Sequence, residues 1–192
     1  MRGFLLLGLL CFVASAVASS AAAASARAHY LFVWTGDQQG KGTDFLAVFD
    51  GDPASPHYGK LLTTLPTDQV TVRIHHTEYE MPASGMLFAN DHDADRTFIF
   101  DLRDPLHPRI AASFSDLGGF ANPHSFVRIP NGHVLASFQH VAGAQHHGGM
   151  PMGGGLVEID DSGRAVRSAG NLDAAFPNAL MMPYSLAVLP RI

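Results

Sequence analysis

Two imidazoles stand side by side at His75-His76, a third at His124, and a phenol at Tyr184, each in a phrase that ends on a proline. Six places before Pro82, Pro130 and Pro190 come His76, His124 and Tyr184 in turn, as if one structural position were filled three times. Imidazole nitrogen is a good ligand for copper and for zinc. If the three phrases are copies of one unit, His76 and His124 converge on a shared channel and can hold one ion; packed or hydrogen-bonded histidines are the alternative. Neighbouring residues of a regular strand point to opposite faces. Only one of His75 and His76 then meets the ion, unless the segment is a bulge or a strand end.

Glu78 and Glu80 lie close enough in sequence to orient an imidazole from behind, as carboxylates often do at metal sites, and otherwise read as solvated turn residues. Tyr184 is open to three roles: a hydrogen bond to bound ligand, weak coordination, or packing. A weaker group joins His140 to the glycine-rich stretch holding His146, His147, Met150 and Met152, where imidazoles beside thioethers suit copper and methionine favours its reduced state. A flexible tether between strands is the competing reading of that stretch. Asp91-His92-Asp93-Ala94-Asp95 lacks the glycine and distal glutamate of an EF-hand loop and reads as an acidic turn. No nucleophile elbow or Ser-His-Asp pattern supports hydrolysis.

These residues need elements to carry them. Strand-sized apolar runs recur at His29 to Trp34, Asp44 to Asp50, Lys60 to Leu65, Ile74 to Tyr79, Met86 to Asn90, Thr97 to Leu102 and Ile110 to Phe114. A further set follows at Ser125 to Ile129, His133 to Phe138, Gly155 to Ile159 and Ala165 to Ser168, with turn residues between them. Asp50, Asp101 and Asp160 close equivalent strands 51 and 59 residues apart, and the His76, His124, Tyr184 series steps by 48 and 60. A period near fifty with four short strands per unit predicts an all-β fold, a β-propeller of about three blades, with residues 183–192 beginning a fourth. Such a ring is incomplete and leaves one blade face exposed, so the chain reads as the amino-terminal portion of a longer protein or as a truncated reading frame.

Of the 192 residues, 47% are hydrophobic and 15% charged, ordinary values for a core-forming domain. A basic start, an apolar run from Phe4 to Val13 and small residues up to Ala24-Ser25-Ala26 predict a cleaved secretory signal over 1–26, with the partial propeller over 27–192. The strongly apolar part is shorter than the roughly twenty residues a membrane span needs. The expected location is periplasmic or secreted, with no membrane attachment after cleavage. Removal of the signal takes away Cys11, the single cysteine, so the mature chain forms no disulfide and has no thiol nucleophile. The net charge of −5 and the lack of a Lys/Arg cluster argue against nucleic acid as a partner.

With these phrases laid out, the chain resembles the selenium-binding protein family, which includes methanethiol oxidases. The resemblance rests on Tyr30 to Trp34, Asp44 to Val48, His75 to Pro82, Thr97 to Pro108 and Pro123 to Arg128, and runs from about 29 to 192. It implies a β-propeller larger than this chain, with a carboxy-terminal half missing here. It also implies a copper-dependent oxidase that turns methanethiol, O2 and water into formaldehyde, hydrogen sulfide and hydrogen peroxide. A non-catalytic metal- or selenium-binding fragment is the alternative. His75, His76 and His124 match the family histidines proposed to hold the metal. Some relatives carry a selenium-binding cysteine just after the His-His-Thr motif; this chain has Glu78-Tyr79-Glu80 there, which argues against selenium held through cysteine.

Overall fold

The computed structural model describes residues 29–143, 153–170 and 181–189. The expected signal over 1–26 and the group His146, His147, Met150 and Met152 lie outside the described residues.

Eleven strands form: β1 (Tyr30–Thr35), β2 (Phe45–Asp50), β3 (Leu61–Pro66), β4 (Ile74–Thr77), β5 (Met86–Asp91), β6 (Arg96–Asp101), β7 (Arg109–Phe114), β8 (Phe120–Arg128), β9 (Val134–Val141), β10 (Gly155–Ile159) and β11 (Ala165–Gly170). They make three antiparallel sheets, β1-β2-β3, β4-β5-β6-β7 and β8-β9-β10-β11, in which every strand pairs with its neighbour in sequence. The all-β expectation and the grouping of strands into successive units agree with this arrangement. Most boundaries differ from the sequence reading by a residue or two. The exceptions are β8, which begins at Phe120 rather than Ser125, and β9, which runs on to Val141 rather than ending at Phe138. Pro123 interrupts the strand pattern in sequence, yet β8 is an edge strand, where a missing N–H costs no ladder bond.

Strands β5 and β6 of the second sheet are buried on both faces, and their period-two alternation assigns each residue a side. Leu87, Ala89, Phe98 and Phe100 join Trp34 and Leu46 of the first sheet in one apolar cluster. Phe88 and Ile99, the intervening residues, join Phe126, Val134, Ala136, Phe138, Val157 and Ile159 of the third sheet in another. Two-sided burial explains why β5 and β6 read as near-continuous apolar runs instead of polar-apolar alternation. Truncating one of these fully buried phenylalanines to alanine removes roughly 3–5 kcal/mol of stability.

Met181–Leu189, where a fourth unit was expected to start, is described but takes up no strand. It is anchored to the third sheet all the same: the N–H of Gly154 donates to the carbonyl of Met181 at 2.7 Å. This anchoring places Tyr184 against β8.

Candidate metal centre

The approach to β4 is fixed by a buried carboxylate. Asp44, fully buried at the head of β2, accepts hydrogen bonds from the N–H and hydroxyl of Thr71 at 2.8 and 2.9 Å and from the N–H of Val72 at 3.2 Å. Val72 has φ 62°, a left-handed backbone that a β-branched residue rarely adopts without such support. The chain turns there and enters β4.

β4 does not run as a regular strand. Ile74 pairs with Asp91 and Thr77 with Ala89, so the two residues His75 and His76 stand opposite the single residue Asn90. That count defines a β-bulge, a device that re-aims side chains. Both imidazoles therefore reach one place, their ring centroids 4.0 Å apart, where a regular strand would have sent them to opposite faces. β8 repeats the irregularity: Pro123 pairs with Phe138 and Phe126 with Ala136, leaving His124 and Ser125 opposite Ser137.

In each bulge a side chain from the adjacent strand takes the displaced N–H. The N–H of His76 donates to Asn90 Oδ1 at 2.6 Å, and the N–H of Ser125 donates to Ser137 Oγ at 3.1 Å. This corrects the register read from the prolines. Strand pairing makes His75, not His76, the counterpart of His124, and His76 the counterpart of Ser125. One more residue separates the bulge from Pro82 than separates its counterpart from Pro130, and a count along the chain cannot see the difference.

Asn90 also links the bulges to each other. Its Nδ2 donates to the carbonyl of Pro123 at 2.9 Å, and its own backbone carbonyl accepts from Trp34 Nε1 at 2.8 Å. The result is a close group: ligand atoms of His75, His76 and His124 all lie within 4.8 Å of one another. The His124 ring is 4.6 Å from that of His75 and 4.9 Å from that of His76.

His124 is fully buried, and its Nδ1 lies 2.7 Å from the carbonyl of Tyr184. A carbonyl only accepts, so Nδ1 carries the hydrogen and Nε2 carries the lone pair. That Nε2 is buried and meets no hydrogen-bond partner. A buried nitrogen left without a partner beside two other imidazoles fits the donor set of a metal ion and is otherwise costly. Burial, reinforced by the neighbouring imidazoles and opposed by the Tyr184 carbonyl, brings the His124 pKa down to about 4. The His75 pKa is lowered by burial of its ring and by His76 and His92, and that of His76 by burial and by His92. Each shift favours the neutral form that ligation requires.

Other expected residues are placed differently. Glu78 is buried, but both its oxygens are turned to Arg128, whose Nε and Nη2 donate to Oε1 and Oε2 at 2.9 Å each, while Oε2 also accepts the N–H of Phe88 at 3.1 Å. It ties the second sheet to the third and does not orient an imidazole. Glu80 is exposed. Tyr184 does act on His124, through its backbone carbonyl and a ring contact at 3.8 Å; its side chain is half exposed. His140 lies on β9 opposite Ala121, outside the three-imidazole group.

One residue of the neighbourhood was not legible as such. His92, in the turn between β5 and β6, brings its ring to 5.3 Å from that of His75 and 5.8 Å from that of His124. No signal in the sequence marked it: His92 reads as part of an acidic turn, and only the folding of that turn back over β4 brings its ring to His75.

The chain is 33% identical over 142 residues to the methanethiol oxidase of a Hyphomicrobium species. It belongs to the selenium-binding protein and methanethiol oxidase family. The matched region is 71% of this chain and 31% of the relative, so the chain spans about a third of the length of that family member. A hypothetical selenium-binding protein from Sulfolobus tokodaii, known from its X-ray structure, shares the fold, with a TM-score of 0.58 at 17% identity over 73% of this chain and 34% of that one. No family model matches the chain. For this member of the family the bulges of β4 and β8 are where three imidazoles meet.

Proposed function

We propose that the chain carries the metal-holding part of a copper-dependent methanethiol oxidase, exported to the periplasm or beyond, and that its three sheets are blades of a β-propeller. The observation that carries this reading is the buried, partnerless Nε2 of His124 facing His75 and His76. These three residues would hold the ion. Copper at such a site supplies redox exchange with O2 and lowers the pKa of a thiol beside it.

The chain's own residues do the rest. The Tyr184 carbonyl holds the proton on Nδ1 of His124, so the ring presents a lone pair inward at any pH where it is neutral. Asn90 fixes the spacing of the two bulges through His76 N–H and the Pro123 carbonyl. A cavity of about 530 Å³, lined by Ile74, His75, His92, His124 and Tyr184 among others, leaves room for a one-carbon thiol next to the imidazoles. Val72 and Ile74 are apolar residues of its wall, against which the methyl group of such a thiol would rest with its sulfur toward the imidazoles.

The test is stoichiometric. Copper-loaded chain given methanethiol, O2 and water should release formaldehyde, hydrogen sulfide and hydrogen peroxide in equal amounts. Full copper occupancy with no peroxide formed leaves a metal-binding protein without turnover and ends the oxidase reading.

A further inference from the structure

We propose that His92 is a fourth, detachable ligand of the same ion, delivered by the β5–β6 turn and oriented by Asp93. The inference rests on the three-histidine reading and adds a residue that neither the strand repeat nor the bulges supply.

The turn is built to hold this ring at the mouth of the site. Asp91, the last residue of β5, is fully buried, and its Oδ1 accepts the N–H of Ala94 at 3.2 Å, while Asp95 at φ 51° closes the turn into β6. His92 projects from this anchored base. Its Nδ1 lies 3.4 Å from Asp93 Oδ1, a long contact that is short enough to bias the proton onto Nδ1. Arg73 Nη1, 3.7 Å from Asp93 Oδ2, holds the carboxylate from the other side. With Nδ1 turned to Asp93, Nε2 is the nitrogen available to the cavity, the same division of labour that the Tyr184 carbonyl imposes on His124.

Position and exposure set the role. The His92 ring is 5.3 Å from that of His75 and 5.8 Å from that of His124, about an ångström farther than the core rings are from one another. A rotamer change of one side chain on a turn covers that gap without moving the sheet. His124 is fully buried, whereas the His92 side chain is 37% exposed and His75 is exposed as well, so His92 and His75 together face the solvent side of the group. Cu(II) favours four-fold tetragonal sets of nitrogen and oxygen. An imidazole on an exposed turn can withdraw while the three on the bulges stay, which opens one position to an incoming thiolate.

Titration of the full chain with Cu(II), followed by calorimetry and by the nitrogen hyperfine pattern in electron paramagnetic resonance, tests this on wild type, His92→Ala and His124→Phe. The expected result is one fewer coordinated nitrogen and an affinity weaker by about tenfold in His92→Ala, with tight binding lost in His124→Phe. Asp93→Asn should keep the wild-type nitrogen count and weaken binding less than His92→Ala does. If His92→Ala keeps both the nitrogen count and the affinity while His124→Phe loses the site, His92 is not a ligand and the three-histidine centre stands. If His124→Phe binds as wild type does, the centre itself is misassigned and the proposal for His92 falls with it.

Discussion

The Nδ1 of His124 and the backbone carbonyl of Tyr184 lie 2.7 Å apart, although sixty residues separate them in sequence. This contact decides which nitrogen of a buried imidazole is free, and the carbonyl also receives the hydroxyl of Ser125 at 2.8 Å. The segment Met181–Leu189 thus reaches into the candidate centre through main-chain chemistry that no side-chain motif reveals.

Replacing His124 with Phe fills the same space without Nε2. Cu(II) affinity should fall by at least about a hundredfold, because an inner ligand is lost where even outer partners are worth ten- to a hundredfold. Calorimetric titration measures the loss, and an unchanged far-ultraviolet circular dichroism spectrum shows that the sheets persist.

Acid should weaken the metal-free protein through the same residue. The His124 pKa is about 4 in the folded chain against an ordinary 6.5, so between those values the unfolded chain binds a proton that the folded one excludes. Stability therefore falls as pH drops from about 6.5 to about 4 and is level above that window, with up to on the order of 3 kcal/mol at stake. His75 and His76, shifted in the same direction, add to the slope. Urea midpoints across this range should show a shallower dependence in His124→Phe than in wild type, and equal slopes would mean that burial of this ring is not the cause.

Asn90→Asp keeps the size of the side chain but removes the donor to Pro123 O at 2.9 Å and buries a carboxylate in its place. Leaving that carbonyl without its partner should cost about 1–3 kcal/mol. The spacing of His76 and His124 should loosen too, with Cu(II) affinity down by about tenfold or more. Thermal unfolding and metal titration on the same sample read the two effects.

Arg128→Met strands Glu78, whose carboxyl is pushed upward by burial, with Arg128 as the opposing influence. The side chains are 21% and 3% exposed, so this is a largely buried pair, and losing one partner should cost about 3–5 kcal/mol. The double replacement Glu78→Gln with Arg128→Met should recover part of the loss. A lowered melting temperature in the single variant that is not partly restored in the double would assign Arg128's contribution to its other hydrogen bonds, to Asp161, Gly132 and Met86.

Much of this protein was legible in its residues. Alternating and continuous apolar runs fix the strands, because side-chain direction in an extended chain depends on local parity alone. The proline-aligned phrases brought His76 and His124 together, and the family resemblance added His75 to them. Tertiary structure decided the rest, since it turns on which residue faces which across a ladder. Only pairing shows that His75 and His76 oppose one Asn90, which lets adjacent imidazoles share a face and shifts the register by one. Only pairing carries Glu78 to Arg128 instead of to a histidine, brings His92 from an acidic turn to the mouth of the site, and sets a carbonyl of Tyr184 on His124. A bulge is a mismatch between two strands, and neither strand alone contains it.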